Sequence, residues 1–175
     1  MLDNLHRHLL ETLKDILEEK MSLPSAVVEP SETMPLVSLS TTLAADQRGR
    51  HREVNHAFFP FSEEDLEHTL LLQFYFQLPF SLYEARLSDL AFLLQVINNQ
   101  IPLGCYSLNT QEKWVQFRYV TPLPHYAPLN SDMIGEVMLL LIAFQDMFPP
   151  VIESVNAGET SLQQALEAIH TIGFN

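Results

Sequence analysis

The sequence predicts an α+β fold, an antiparallel five-stranded sheet with helices packed mainly on one face. Two signals carry this reading. A long period-two alternation between Leu66 and Phe80 marks a sheet covered on one side, and apolar residues recur at three- and four-residue spacing in flanking segments. The resulting order is α-β-β-β-α-β-β-α plus a C-terminal helical extension.

The first element is a helix. Leu2, Leu5, Leu9, Leu13 and Ile16 form one narrow apolar stripe, and Glu11, Lys14, Asp15, Glu18 and Glu19 fill the other face. It ends before Pro24. Val37, Leu39, Thr41 and Leu43 then alternate with Ser38, Ser40 and Thr42, as in a half-buried strand. A polar turn around Gly49 leads to a second strand, Glu53–Phe59, which Pro60 ends. After a charged connection from Ser62 to Asp65, the third strand places Leu66, Leu70, Leu72, Phe74, Phe76, Leu78 and Phe80 on one face. Gln73, Tyr75 and Gln77 lie on the other.

A second helix is expected from about Tyr83 to Asn99, with Ser81 and Glu84 as a capping box. Leu87, Leu90, Ala91, Leu94 and Ile97 make its core stripe, widened by Phe92, Leu93 and Val96; Pro102 and Gly104 close it. A hairpin follows, with arms Gly104–Leu108 and Lys113–Thr121. Asn130 or Ser131 caps the third helix, where Met133, Val137, Leu140, Leu141 and Phe144 form one stripe beside Ile134, Met138 and Ile142. Being apolar on most sides, it is expected at the centre of the core. Pro149-Pro150 breaks it, a short turn reaches Gly158, and a last amphipathic helix carries Leu162, Ala165, Leu166 and Ile169. No repeat or long linker divides the chain, so residues 1–175 are expected to form one domain.

Composition narrows the function classes. The 175 residues carry a formal net charge of −13. That charge repels a phosphate backbone and an anionic membrane surface, which argues against nucleic-acid and membrane partners; it favours solubility and basic partners. The single cysteine, Cys105, excludes an internal disulfide and a multi-thiolate metal site. Asp3, His6, Arg7 and Glu11 interrupt any signal-peptide core. The most apolar stretch, Met133–Phe148, carries Glu136 and Asp146 and looks too short to span a bilayer. A cytoplasmic address follows by elimination.

The order of elements, with its particular strings, resembles the YbjN-like family of bacterial proteins. The carrying stretch runs from Leu66 to Gly158, about half the chain. It contains LLQFYFQLPF at Leu71–Phe80, LSDLAFLLQVINNQIPLGCYSLN at Leu87–Asn109, VQFRYVTPL at Val115–Leu123 and the helix ending in FPP at Phe148–Pro150. Asn98, Pro102, Gly104, Arg118 and Tyr119 fit the family's pattern. The resemblance implies the fold of type III secretion chaperones, which are small, acidic, dimeric proteins that bind extended segments of partner chains. It brings no catalytic motif.

Candidate sites are few. His6 and His8 are two apart on a helix and point in different directions; His51 and His56 are five apart on a strand and face opposite sides. No histidine pair has helical metal spacing, so no metal and no cofactor are expected. His68 falls on the apolar face of the third strand. Cys105 has no basic neighbour in sequence and reads as a buried, inert thiol. The run Arg48-Gly49-Arg50-His51-Arg52 is the one basic cluster; it reads as a solvated hairpin tip or a grip for an acidic group. The open sheet face offers Tyr75, Trp114 and Arg118 among Gln73, Gln77 and Gln116, a mixture enriched at protein interfaces. The expected function is non-enzymatic: a homodimeric chaperone-like or adaptor protein binding another protein, with regulation or stress response as its setting. The alternative is a small-ligand sensor with a pocket between sheet and helices.

Overall fold

Leu2–Met21 form helix α1 in a computed structural model that describes residues 2–32, 35–62 and 64–172. Its buried residues are His6, Leu10, Leu13 and Leu17, at spacings of four, three and four. This corrects the expected stripe: Leu5, Leu9 and Ile16 are only half-buried, and the side chain of Leu2 lies outside the described ones. Ser22, at φ 55, ends the helix in a left-handed turn, with Leu23 N bonded to Leu17 O at 3.2 Å.

A strand the sequence reading missed comes next. Strand β1, Ser25–Val28, is four residues long and pairs antiparallel with β2, Ser38–Leu43. Strand β3 is Arg52–Phe58 and β4 is Thr69–Ser81. Among the described residues the sheet therefore has six strands rather than five, in the order β1-β2-β3-β4-β6-β5, where β5 is Cys105–Asn109 and β6 is Trp114–Pro124. β1 escaped the reading because Pro24 and Pro30 bracket it and its short edge shows no long alternation. β4 buries Leu70, Leu72, Phe74, Phe76 and Leu78 as its alternation required. His68, in contrast, precedes the strand in an exposed bend. Glu63 of the expected acidic connection lies outside the described residues.

The second helix starts later than expected. A 3-10 turn, Glu84–Arg86, precedes α2, Leu87–Asn98. Ser81 is the last residue of β4 and caps nothing. Asn156 takes that role from afar: its Oδ1 accepts from Tyr83 N at 3.0 Å, and its Nδ2 donates to Ser81 O at 2.9 Å. Helix α3, Ser131–Met147, has the expected cap, with Asn130 Oδ1 accepting from Asp132 N and Met133 N. Its fully buried residues include Ile134, Met138, Leu141 and Phe144, whereas Leu139 is exposed.

Pro149 and Pro150 do not lead into a turn. They begin helix α4, Pro149–Ala157, at positions where a missing N–H costs nothing, and Gly158 closes it at φ 74. Helix α5, Leu162–Ile172, buries Ala165 and Ile169. Ser161 and Gln164 cap it reciprocally: Ser161 N donates to Gln164 Oε1 at 3.0 Å and Gln164 N donates to Ser161 Oγ at 3.3 Å. The helical run Ser131–Ala157 has the length and hydropathy of a membrane span, because α4 follows α3 directly; the expectation that this stretch is too short stopped at Phe148.

Two compact units emerge: Met1–Tyr75 with Val120–Leu140, and Phe76–Tyr119 with Leu141–Asn175. Their boundaries fall inside β4, β6 and α3, not in loops. In the first unit α1 packs on β1, β2 and β3. In the second, α2 packs on β5, α4 and α5.

Candidate interaction surface

Strand β5 ends the order of the sheet, and its backbone faces are fixed by one side chain. Asn98, at the end of α2, donates from Nδ2 to Tyr106 O at 2.9 Å and accepts from Tyr106 N at 2.8 Å. Tyr106 therefore turns both backbone groups away from β6, its opposite residue there being Phe117. An antiparallel ladder alternates, so Leu108, two residues on, also turns its N–H and C=O outward. Asn98 thus covers one of the two outward positions on this edge and leaves the other open.

The connection that places Asn98 over Tyr106 depends on Gly104. Its φ is +68, and a Cβ there would lie 2.5 Å from Phe117 Cζ and 2.8 Å from Arg118 O. Only glycine fits. Beneath it, Phe76 stacks on Phe117 at 4.7 Å, and Tyr106 meets the same ring edge-on at 5.0 Å. Tyr106 Oη donates to Phe144 O at 2.9 Å, and burial pushes its ionisation well above the ordinary phenol range.

Between α2 and β5 lies an open groove of about 380 Å³, lined by Ala91, Leu94, Gln95, Asn98, Tyr106 and Leu108 among others. Along the outer side of α2, Ser88, Ala91, Phe92, Gln95 and Asn99 are all exposed. They follow helical spacing, so they make one stripe, and none is charged. Phe92 is 50% exposed at its centre. The one charged residue in α2, Asp89, sits 3.6 Å from Arg86. Sequence reasoning assigned Ala91 and Phe92 to the core because both are apolar. The signal that separates them is the run of Ser88, Gln95 and Asn99 on the same helical face.

Trp114 and Arg118 share a face of β6; Trp114 is half-buried, with Nε1 donating to Gln116 Oε1 at 3.2 Å, and Arg118 is exposed. Tyr75 is half-buried on β4 in the first unit, opposite Asn55 of β3. Cys105 is exposed on β5, which corrects its expected burial; an edge strand leaves its outer residues in water. At the basic tip, Asp46 Oδ1 accepts from Arg48 N at 2.9 Å and Arg50 N at 2.8 Å, while Arg50 Nε donates to Asp46 Oδ2 at 2.7 Å. The backbone bond from Arg50 is the largest influence holding the Asp46 carboxyl below its usual range. Arg52 Nε donates to Ala44 O at 2.8 Å. Two of the basic side chains therefore fasten the hairpin itself.

Of the histidines, His6 and His56 are buried, while His8, His51 and His68 are exposed. Among the described residues no group of three or more His, Cys, Asp or Glu side chains is placed to hold a metal ion. No protein-family model matches the chain, and no curated protein matches it significantly.

Proposed function

We propose that the chain is a non-enzymatic, homodimeric, chaperone-like or adaptor protein that binds another protein in the cytoplasm. The observation that carries this reading is the uncharged stripe of α2 beside the open edge of β5. Two copies of a chain with net charge −13 repel each other across most of their surfaces. Self-association calls for a patch without charge, and Ser88, Ala91, Phe92, Gln95 and Asn99 supply one. The outward backbone of Leu108 adds a site where two edges can pair about a two-fold axis. The face of β6 with Trp114 and Arg118 is then left for a client, since aromatic and arginine side chains anchor partners well.

The reading agrees with the YbjN-like resemblance, two of whose positions, Asn98 and Gly104, shape the same edge. The alternative, a small-ligand sensor, has less support. The groove volume of about 380 Å³ is in the range of ligand pockets. Its walls stand open, however, and the lining offers amides and apolar groups without a charge to orient a small molecule.

Light scattering at micromolar concentration tests the dimer. The expected mass is twice the chain's 20.0 kDa. Phe92→Glu places a charge at the centre of the stripe and is expected to give a folded monomer. A wild-type monomer, or a Phe92→Glu dimer as tight as wild type, refutes the assignment.

A further inference from the structure

Two imidazoles lie in the buried layer of the first unit, apart from the surface described above. His56, on β3, is 0% exposed. His6, on α1, is buried and stacks on Phe58 of β3 at 5.2 Å. The ring of His56 meets Phe74 edge-on at 5.0 Å.

A chain of hydroxyls fixes where the proton on His56 sits. Ser25 Oγ donates to Leu23 O at 3.1 Å, so its oxygen is left to accept from Thr41 Oγ1, 3.0 Å away. Thr41 has then used its one proton, so it accepts from His56 Nε2, also at 3.0 Å. His56 is therefore the Nε2–H tautomer, and its Nδ1 is a bare lone pair with no hydrogen-bond partner among the described residues. A second proton on that nitrogen creates a buried cation whose new N–H has no acceptor.

Among the described residues, no charged group is placed to compensate it. On α1 the buried titratable residue is His6, while Lys14 and Glu18 face each other at the surface, 3.7 Å apart. β2 contains no titratable residue. On β3, Glu53 is exposed, and Arg52 at the strand's start bonds Ala44 O. In the first unit's part of β4 the titratable residue is Tyr75, next to Phe74 and so on the opposite face. Asp132 and Glu136 of α3 are exposed.

We propose that α1 is a proton-gated cover over β2 and β3, shut while His56 is neutral and released when His56 takes up a proton. α1 packs on β1, β2 and β3, and its His6 lies against Phe58 on this face. Its release bares Leu39, Val54 and Phe58, an apolar surface hidden at neutral pH. The sign follows from linkage. Burial lowers the His56 pKa from 6.5 to about 3 in the closed state. Opening restores the ordinary value, so acid favours the open form. The closed form is undisturbed above about pH 6.5 and is weakened by roughly tenfold per pH unit below it, until about pH 3.

The test is amide hydrogen exchange of α1, corrected for intrinsic rates, at pH 7.5 and pH 5.5, in wild type and in His56→Gln. Glutamine can still donate to Thr41 and cannot take up a proton. The opening constant of α1 is expected to rise about tenfold more in wild type than in the variant. An equal rise in both overturns the proposal. So does an even loss of protection across α1, β5 and α5, which is global unfolding. Should the variant fail to fold, the His56 Cε1 resonance of wild type decides. It is expected not to titrate between pH 7.5 and 5.5 in molecules whose α1 amides remain protected; titration near pH 6.5 in that closed form overturns the proposal.

Discussion

Gly104 and Gly49 share a left-handed backbone and differ in what surrounds them. At Gly49, φ is +75 and nothing lies within 4 Å of a built Cβ; at Gly104 the Phe117 ring and the Arg118 carbonyl fill that space. Alanine at either position incurs the left-handed penalty of about 1–2 kcal/mol. At Gly104 an overpacking term of about 1–3 kcal/mol adds to it. Urea denaturation is expected to show Gly104→Ala losing about 2–5 kcal/mol and Gly49→Ala about 1–2 kcal/mol. Equal losses would mean that the β5 connection relaxes around the new methyl. The glycine at 104 was legible in the sequence as the end of a helix, but its second role was not, because Phe117 is brought there by the hairpin. Asn98 was likewise visible only as part of a pattern. Its grip on Tyr106, eight residues on, depends on a loop geometry that side-chain type does not encode. Ser81 and Glu84 had the right spacing for a capping box, yet an Asn 75 residues from Ser81 outcompetes them.

At the scale of elements, periodicity gave existence and type well and phase poorly. α1 contains leucines on adjoining stripes, and the buried stripe includes a histidine, so hydrophobicity favoured Leu5, Leu9 and Ile16 over the correct set with His6 and Leu17. α4 was lost because Pro149-Pro150 was read as a break. Proline at the start and glycine just past the end is in fact a helix signature, and Gly158 completes it. In α3 the cap and the apolar character were legible, while the division between buried and exposed leucines required the structure. Leu141 is fully buried and Leu139 is 61% exposed. Leu141→Ala is expected to cost about 2–5 kcal/mol in a denaturant melt. Leu139→Ala is expected to stay within about 0.5 kcal/mol. A large loss at Leu139 would show that this side of α3 is covered in solution, and the mass of the protein would say by what.

At the scale of the whole molecule, charge was the most legible property, and the two-unit packing the least, since its boundaries run through β4, β6 and α3 where no loop or composition change marks them. Charge also separates two kinds of association. The proposed homodimer through the neutral stripe of α2 has to form against the repulsion of two chains, each at −13. Salt screens that repulsion over a Debye length of about 10 Å at 0.1 M. The dimer is therefore expected to tighten several-fold as salt rises from about 0.02 M to 0.3 M, where the screening length falls from roughly 20 Å to 6 Å. A basic client bound by attraction to the same acidic chain responds the other way, and its affinity falls over that range. Sedimentation equilibrium across the salt series reads the first effect, and titration with a labelled basic peptide reads the second. Opposite slopes place self-association and client binding on chemically different surfaces. A dimer that weakens with salt would instead be held by ion pairs, and the basic tip from Arg48 to Arg52 in one copy, set against the acidic surface of the other, would replace the α2 stripe as its interface.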